Sequence, residues 1–234
     1  MGQPDPVAFD PGTASRKLQK TVKLLCAGAK GGPGKSFLAK SFSGAAAKEG
    51  YLTALVDFDL QRTATKWLHR RTSFYPGGPA IAGFEGNPGD PNDAIEVTTI
   101  DSYDLIVIDT PPAIDQHSTV LKTLAYRSDL VVVPTKVGIS DTESAEVLLQ
   151  ALAGWGIATM AVLNLVKPKA SRVIGTARKR LVRHGELCAV EIGEFYDFLA
   201  ADEAGVGVTE MAKCTGADSV EAVWLAVKQR VGIG

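Results

Sequence analysis

A glycine-rich stretch with two lysines, residues 30–36 (KGGPGKS), contains the residue types that most clearly suggest chemistry. It follows an apolar run over residues 22–29 and precedes a segment with helical spacing over residues 36–48. A strand that turns through glycines into a helix presents backbone N–H groups, and the helix N-terminus adds about half a positive charge. The glycines also let the backbone approach an anion closely. The stretch therefore predicts a phosphate-binding loop.

Two side chains of this loop are placed to contact a nucleoside triphosphate and its Mg²⁺. In the pattern G-x-x-x-x-G-K-[ST], the lysine reaches the β- and γ-phosphates and the hydroxyl binds the metal. Lys35 and Ser36 hold these positions, although Ala29 replaces the first glycine and Lys30 adds a second cation. The alternative is a glycine-rich turn with two solvated lysines. The predicted nucleotide contacts here are Lys30, Gly31, Gly32, Pro33, Gly34, Lys35, Ser36 and Phe37.

Three aspartates close two apolar segments. Asp109 ends residues 104–109, and an unpaired carboxylate there is costly unless a metal or a cation lies nearby. Asp109 is therefore a candidate magnesium ligand. Asp57 and Asp59 close the apolar segment 52–58 and would share one face of a strand. One of the two could join the magnesium shell while the other orients a water; helix capping is the alternative.

The order of apolar segments predicts strands alternating with helices, and therefore a doubly wound, mostly parallel sheet flanked by helices. Ligands of such sheets bind at the carboxyl ends of the strands. We expect residues 1–20 to form a flexible or loosely docked arm, residues 21–234 one domain, and residues 75–92 mostly loop. Strands are predicted near residues 22–29, 52–58, 80–84, 104–109, 130–134, 159–165 and 187–192, and helices near 36–49, 63–71, 118–126, 141–153, 172–184 and 219–231.

Composition limits the classes of function. With 234 residues and a net charge of −1, the chain is not a polycation, so nucleic-acid binding would need a local patch. Its three cysteines, Cys26, Cys188 and Cys214, have neither metal-like nor redox spacing. The sequence shows neither a signal peptide nor an apolar span of transmembrane length, which leads us to expect a cytoplasmic protein.

Several motifs together resemble the ParA/MinD family of deviant Walker ATPases. They are KGGPGKS, VDFDLQRTATKW, and DLIVIDTPP followed by LVVVPTK, and the resemblance covers about residues 21–212, including GVGVTEM at 205–211. The chain is most similar to small ParA-type proteins without an N-terminal helix-turn-helix domain. The resemblance implies a P-loop fold of the deviant Walker A type and slow, partner-stimulated hydrolysis of ATP with Mg²⁺.

The resemblance also implies roles for individual residues. Lys30 would reach across an ATP-sandwiched homodimer to the partner's phosphates. Asp59 would position the hydrolytic water, Asp109 would be the Walker B acid, and Asn164 would contact the adenine edge. The sequence departs from the family pattern at Pro33, at Ser36 (usually Thr) and at Leu60 (usually Pro), without removing a catalytic group.

A basic run without acidic residues lies between positions 167 and 183. Arg172, Lys179 and Arg183 would share one helical face, which suits phosphate backbones read without base contacts. ParA-like proteins use this general region for sequence-independent binding of double-stranded DNA; a solvated helix face is the alternative. The candidate DNA contacts are Lys167, Lys169, Arg172, Arg178, Lys179, Arg180 and Arg183.

These features predict an ATP-dependent dimerisation switch. It would bind DNA on the nucleoid and position or segregate a plasmid, a chromosome or another cargo, with a ParB-like adaptor stimulating hydrolysis. A MinD-like membrane switch is one alternative, although the apolar spacing over residues 219–231 favours a helix docked on the sheet. A dethiobiotin synthetase-like ligase is another, disfavoured because it would need neither Lys30 nor the basic run. A nitrogenase iron-protein relative is disfavoured because this sequence has no cysteine pair that could bridge a cluster across a dimer.

Overall fold

The computed structural model describes residues 17–32, 34–112, 118–167 and 171–233. The arm up to residue 16, Pro33 and Lys169 lie outside the described residues. The strands are β1 (Val22–Cys26), β2 (Thr53–Asp57), β3 (Ile81–Glu85), β4 (Leu105–Asp109), β5 (Leu130–Thr135), β6 (Thr159–Leu163) and β7 (Glu186–Leu187). The helices are α1 (Lys35–Lys48), α2 (Thr63–Phe74), α3 (Pro91–Thr99), α4 (Ser118–Tyr126), α5 (Ile139–Gly154), α6 (Ser171–Leu181), α7 (Asp197–Glu203) and α8 (Ala217–Val231).

The seven described strands form one sheet in the order β3-β2-β4-β1-β5-β6-β7, and all the pairings are parallel. The predicted doubly wound sheet is therefore confirmed. Because the strands are parallel, their carboxyl ends lie at one edge. The register pairs Asp109 with both Cys26 of β1 and Asp57 of β2. Residues from three separate chain segments thus meet beside the glycine-rich loop.

Helices cover both faces of the sheet because consecutive strand residues point to opposite sides. Leu24 belongs to the core on one face, together with side chains of α1, α2, α7 and α8. Leu25 belongs to the core on the other face, together with side chains of α3, α4, α5 and α6. The central strand β1 is buried on both sides except at Lys23, which is partly exposed.

Three short elements differ from the sequence-based expectations. Helix α3 occupies the end of the expected loop, where the Asp90 carboxylate accepts a hydrogen bond from the Asn92 N–H at 2.8 Å and Pro91 begins the helix. Helix α7 was not expected. The strand expected over residues 187–192 is reduced to β7, with one further bridge between Val166 and Gly193. The sequences of these short segments do not reveal such local contacts.

Helix α8 packs on the sheet, as expected. Val223, Trp224 and Val227 are buried in the core. The Trp224 indole donates a hydrogen bond to the Glu49 carboxylate at 3.0 Å, and the Lys228 ammonium binds the same carboxylate. The apolar face of α8 is thus occupied within the chain. In the described part of the chain, no helix combines the length and apolarity needed to cross a membrane.

The late run at residues 205–211 is fastened to α2 by a buried ion pair. Both guanidinium Nη atoms of Arg71 bind the Glu210 carboxylate, at 2.6 and 2.7 Å, and the two side chains are only 6% and 1% exposed. Glu210 also accepts a hydrogen bond from the Gly207 N–H. At Gly205, with φ +68°, a Cβ would lie 2.2 Å from the Arg71 backbone nitrogen. Residues 205–211 therefore pack directly against α2, with no space for a side chain at Gly205.

We expect Glu210→Ala to lower the free energy of unfolding by about 3 kcal/mol, because it leaves the Arg71 guanidinium buried without its carboxylate. Glu186→Ala is the matched control, since the Glu186–Arg230 pair is about half exposed; its loss should stay below about 1 kcal/mol. Urea unfolding followed by tryptophan fluorescence measures both. Equal midpoints for the two variants would show that the buried pair contributes no more than a surface pair.

Candidate nucleotide-binding site

The glycine-rich loop connects the end of β1 to the start of α1 at the carboxyl edge of the sheet. Gly32 and Gly34 have φ values of +79° and +103°. A Cβ at Gly34 would lie 1.9 Å from Asn164 Nδ2, so only glycine fits there. Among the described residues, no acidic side chain lies in the first turn of α1 and no side chain caps it. The geometry suits an anion at the helix N-terminus.

Lys35 is buried beneath this loop. Its ammonium donates a hydrogen bond to the Lys30 carbonyl at 3.2 Å. Burial lowers the pKa of Lys35, while the carboxylates of Asp109 and Asp59 oppose that effect. A buried cation between the loop and two carboxylates can bind a phosphate group when the loop carbonyl releases it.

Lys30 points in another direction. Its ammonium donates a hydrogen bond to the Ser140 carbonyl at 2.8 Å, in the first turn of α5. The side chain therefore lies toward the end of β5 and not over Lys35. The two lysines of the loop occupy different places, which their sequence spacing alone does not determine.

Asp109 is a fully buried carboxylate, and within the described residues neither of its oxygens has a hydrogen-bond partner. The pKa of Asp109 is raised to about 7, chiefly by burial. The negative charges of Asp57 and Asp59 also raise it, while the Ser36 hydroxyl and the Lys35 ammonium partly offset the rise. The Ser36 hydroxyl thus lies close enough to lower the pKa of Asp109, although the two groups do not form a hydrogen bond of normal geometry. An orphaned buried oxygen is costly and rare. Carboxylate and hydroxyl oxygens at this position fit Mg²⁺, which binds few protein ligands and keeps phosphates and waters as the others.

Asp57 is fully engaged inside the protein. One oxygen accepts a hydrogen bond from the Asp59 N–H at 2.9 Å. The other accepts from the Thr65 N–H at 2.9 Å and from the Thr65 hydroxyl at 3.2 Å, in the first turn of α2. Burial raises the pKa of Asp57, and these hydrogen bonds lower it. These contacts are those expected of the helix-capping alternative. A bond from Asp57 to a metal would have to replace one of these hydrogen bonds.

Asp59 lies two residues beyond the end of β2. One of its carboxylate oxygens accepts a hydrogen bond from the Gln61 N–H at 2.9 Å. Its negative charge acts on both Lys35 and Asp109. Asp59 therefore lies close enough to the buried lysine and the buried carboxylate to interact electrostatically with both.

Asn164 and Phe37 complete this edge. Asn164 follows β6, is fully buried, and donates its backbone N–H to the Thr135 carbonyl at 2.8 Å. Its side-chain amide lies against Gly34 of the loop. Phe37 stacks on Phe198 of α7 with ring centroids 5.0 Å apart. The structure thus brings Asn164 to the loop, while its predicted adenine contact stays a prediction.

Sequence reasoning missed Arg62, which holds the turn that carries Asp59. The pattern of charges does not reveal that this arginine has a left-handed backbone conformation, with φ 52°, or that its side chain turns back to the sheet. An arginine three residues after a candidate catalytic aspartate is the one available signal, and it is weak.

The basic run does not form one uniform patch. The Arg178 guanidinium binds the Glu191 carboxylate at 2.5 Å, and Arg180 lies 3.1 Å from Glu143 of α5. Lys167 lies 4.0 Å from Glu194. Acidic residues from other elements therefore neutralise part of a run that is acid-free in sequence.

Three members of the run remain available on the surface. Arg172, Lys179 and Arg183 are exposed, and none of them forms an ion pair with another residue of the described ranges. These are the three side chains predicted to share a helical face; α6 itself ends at Leu181. A smaller positive surface than expected is left, formed by these three residues.

We expect Asp109→Asn to stabilise the nucleotide-free protein at high pH. The folded-state pKa of about 7 exceeds the unfolded value of about 4. Ionisation of the buried carboxyl therefore does not destabilise the folded protein below about pH 4, destabilises it increasingly between these values, and has its full effect above about pH 7. Thermal unfolding should show a gain of about 1–3 kcal/mol near pH 8 that shrinks toward pH 5. A gain independent of pH would contradict ionisation of Asp109 as its cause.

Comparisons with known proteins show the family to which the chain belongs and its fold. Residues 24–179 match the family model described as the CobQ/CobB/MinD/ParA nucleotide binding domain. The chain is 31% identical over 159 residues to the maintenance of carboxysome distribution protein A of Gloeobacter kilaueensis, which covers 67% of this chain and 68% of that protein.

Solved structures share the fold at low sequence identity. A putative plasmid partition protein from Borrelia burgdorferi, bound to AMPPNP, superposes with a TM-score of 0.73 and 17% identity over 90% of this chain and 100% of that one. The septum site-determining protein MinD of Pyrococcus horikoshii, complexed with Mg-ADP, gives a TM-score of 0.73 and 18% identity over 91% and 98%.

Proposed function

Because this chain belongs to the CobQ/CobB/MinD/ParA family of nucleotide-binding domains, we propose that it is an ATPase that positions a cargo. It binds ATP with Mg²⁺, dimerises around the nucleotide, and hydrolyses it slowly until a partner protein stimulates the reaction. The names of the relatives refer to different processes, namely carboxysome distribution, plasmid partition and septum site determination.

The observation that carries the proposal is the buried carboxylate of Asp109, which lies near Lys35 and has no hydrogen-bond partner among the described residues. In the proposed site, the Lys35 ammonium and the N-terminus of α1 bind the phosphates. Ser36 and Asp109 hold Mg²⁺, which supplies neutralisation of the phosphate charge. The Asp59 carboxylate accepts a hydrogen bond from the attacking water and orients it. Asn164 is the proposed adenine contact.

A second copy of the chain would complete this site. The Lys30 ammonium points away from its own Lys35 ammonium and donates to the Ser140 carbonyl, so we propose that it acts on a neighbouring nucleotide. Leu60 follows β2 and Ile139 follows β5 on the same edge, with 67% and 68% of their surfaces exposed. Apolar side chains beside a charged site favour a partner surface. The proposed dimer therefore pairs the two carboxyl edges face to face.

We expect Asp59→Asn to lower kcat for ATP hydrolysis about 100-fold, because an amide cannot orient and accept a proton from water as a carboxylate does. ATP affinity and ATP-dependent dimerisation should persist, as measured by nucleotide binding and by light scattering. Asp101→Asn, an exposed aspartate, is the control. Unchanged hydrolysis in Asp59→Asn would remove its proposed role, and absence of ATP binding by the native chain would overturn the proposed function.

The second part of the proposal is sequence-independent DNA binding by the ATP-bound dimer. The exposed side chains of Arg172, Lys179 and Arg183 support it, because phosphate contacts need flexible, accessible cations. Dimerisation would double this small surface and couple DNA affinity to the nucleotide. We propose that DNA retains the dimer on the nucleoid and that a ParB-like adaptor triggers release. The buried apolar face of α8 does not favour the membrane-binding alternative.

We expect the triple variant Arg172→Ala/Lys179→Ala/Arg183→Ala to lose ATP-dependent binding to random-sequence duplex DNA. The ATP-bound dimer presents two copies of these three cations, and each lost phosphate contact lowers the magnitude of the slope of log affinity against log salt by about 0.9, so that magnitude should fall by up to about 5. Fluorescence anisotropy at several salt concentrations measures it.

The triple variant Lys122→Ala/Arg127→Ala/Lys213→Ala is the matched control, because it removes the same charge from exposed positions elsewhere. It should keep both affinity and slope. Equal losses in the two triple variants would indicate a general charge effect, and a native protein that binds no DNA with ATP would exclude this part of the proposal.

A further inference from the structure

Arg62 occupies an unusual place at the start of α2. Its φ and ψ of 52° and 41° lie in the left-handed region, which residues with side chains rarely adopt. The position ends the turn over residues 58–62 that carries Asp59. A glycine or an asparagine fits this conformation more easily, so the arginine side chain needs a compensating role.

The Arg62 side chain ties together the ends of two strands. One guanidinium nitrogen donates hydrogen bonds to the Asp57 carbonyl at 2.5 Å and to the Gly86 carbonyl at 3.1 Å. The guanidinium Nε lies 3.4 Å from the Glu85 carboxylate. Asp57 ends β2 and Glu85 ends β3, so a single arginine bridges both strand ends. A planar guanidinium suits such a bridge because its donors are fixed relative to one another.

The turn that carries Asp59 is therefore held at both ends. At its start, the Asp59 N–H donates to the Asp57 carboxylate at 2.9 Å. At its end, the Arg62 N–H donates to the Asp59 carbonyl at 2.9 Å, and the Arg62 side chain returns to the strand. The direction of the Asp59 carboxylate depends on this closed arrangement. A displacement of about 1 Å at a catalytic group can cost about 100-fold in rate.

We propose that Arg62 is a positioning residue that fixes Asp59 for its reaction with water. This inference rests on the proposed function, in which Asp59 orients the attacking water. Arg62 acts through the backbone of the turn and through the ends of β2 and β3, so nucleotide affinity is independent of it. Its loss lets the turn move and lowers the fraction of enzyme in which Asp59 faces the water.

The test is Arg62→Gly. Glycine accepts the left-handed backbone, so the variant removes the guanidinium without introducing strain. We expect kcat for ATP hydrolysis to fall about tenfold, a part of what a 1 Å displacement can cost, while the Kd for ATP stays within about twofold. Arg62→Lys keeps the charge but loses the fixed planar donors, and it should recover only part of the rate.

The matched control is Arg70→Ala, on helix α2, which begins directly after Arg62. The Arg70 side chain has a similar exposure, 32% against 27% for Arg62, and pairs with Asp202 at 3.0 Å instead of with the turn. Its kcat should equal that of the native protein. Thermal unfolding of every variant shows whether the fold is retained.

The outcomes separate the two proposals. Native kcat in Arg62→Gly together with slow hydrolysis in Asp59→Asn overturns the role of Arg62 and leaves the proposed function intact. A parallel loss of ATP affinity and kcat in Arg62→Gly also overturns it, because it indicates general support of the site. Native hydrolysis in Asp59→Asn rejects the role of Asp59 and, with it, the positioning role of Arg62.

Discussion

The site depends on a carboxylate that the protein buries without a hydrogen-bond partner among its described residues. Asp109 lies at the end of a fully buried strand, and its burial raises the pKa to about 7. This buried carboxylate does not stabilise the fold, since an apolar residue at the same position would be buried at a lower free-energy cost. A bound ligand with positive charge would offset the cost of burying the negative carboxylate. Lys35 supplies part of that charge, and the proposed magnesium supplies the rest.

Parallel strand pairing is what brings the components together. Asp109, Asp57 and the glycine-rich loop belong to distant parts of the chain, yet the register places Asp57 and Cys26 beside Asp109. A shift of one residue in either pairing would turn the side chains to the opposite face of the sheet. The two apolar cores hold that register because every central strand is buried on both faces. Packing far from the loop therefore determines the geometry of the candidate site.

The sequence predicted the parallel sheet, the loop and the edge at which the acidic residues meet, because apolar periodicity and glycine spacing are local signals. It indicated helix capping by Asp57 only as the alternative to metal binding and could not identify Thr65 as the partner, since Thr65 reaches Asp57 only after the chain has turned. Nor could it separate the basic residues. Arg178 and Arg180 pair with acidic residues from outside the run, while Arg172 forms no ion pair within the part of the chain that the structure describes. Ion pairing depends on tertiary proximity, which a charge count along the chain does not contain.

The described arrangement of the two lysines explains why hydrolysis would depend on assembly. Lys35 is buried at the loop, whereas Lys30 binds a carbonyl of α5 and leaves its own Lys35 site without the second cation. Transition-state charge on a transferred phosphoryl group is stabilised by such a cation, and its absence slows the reaction. In the proposed dimer, each chain supplies Lys30 to the other, so the ATP-bound assembly forms before efficient hydrolysis can occur. A single chain would then bind nucleotide without hydrolysing it efficiently, which is the behaviour that a positioning switch requires.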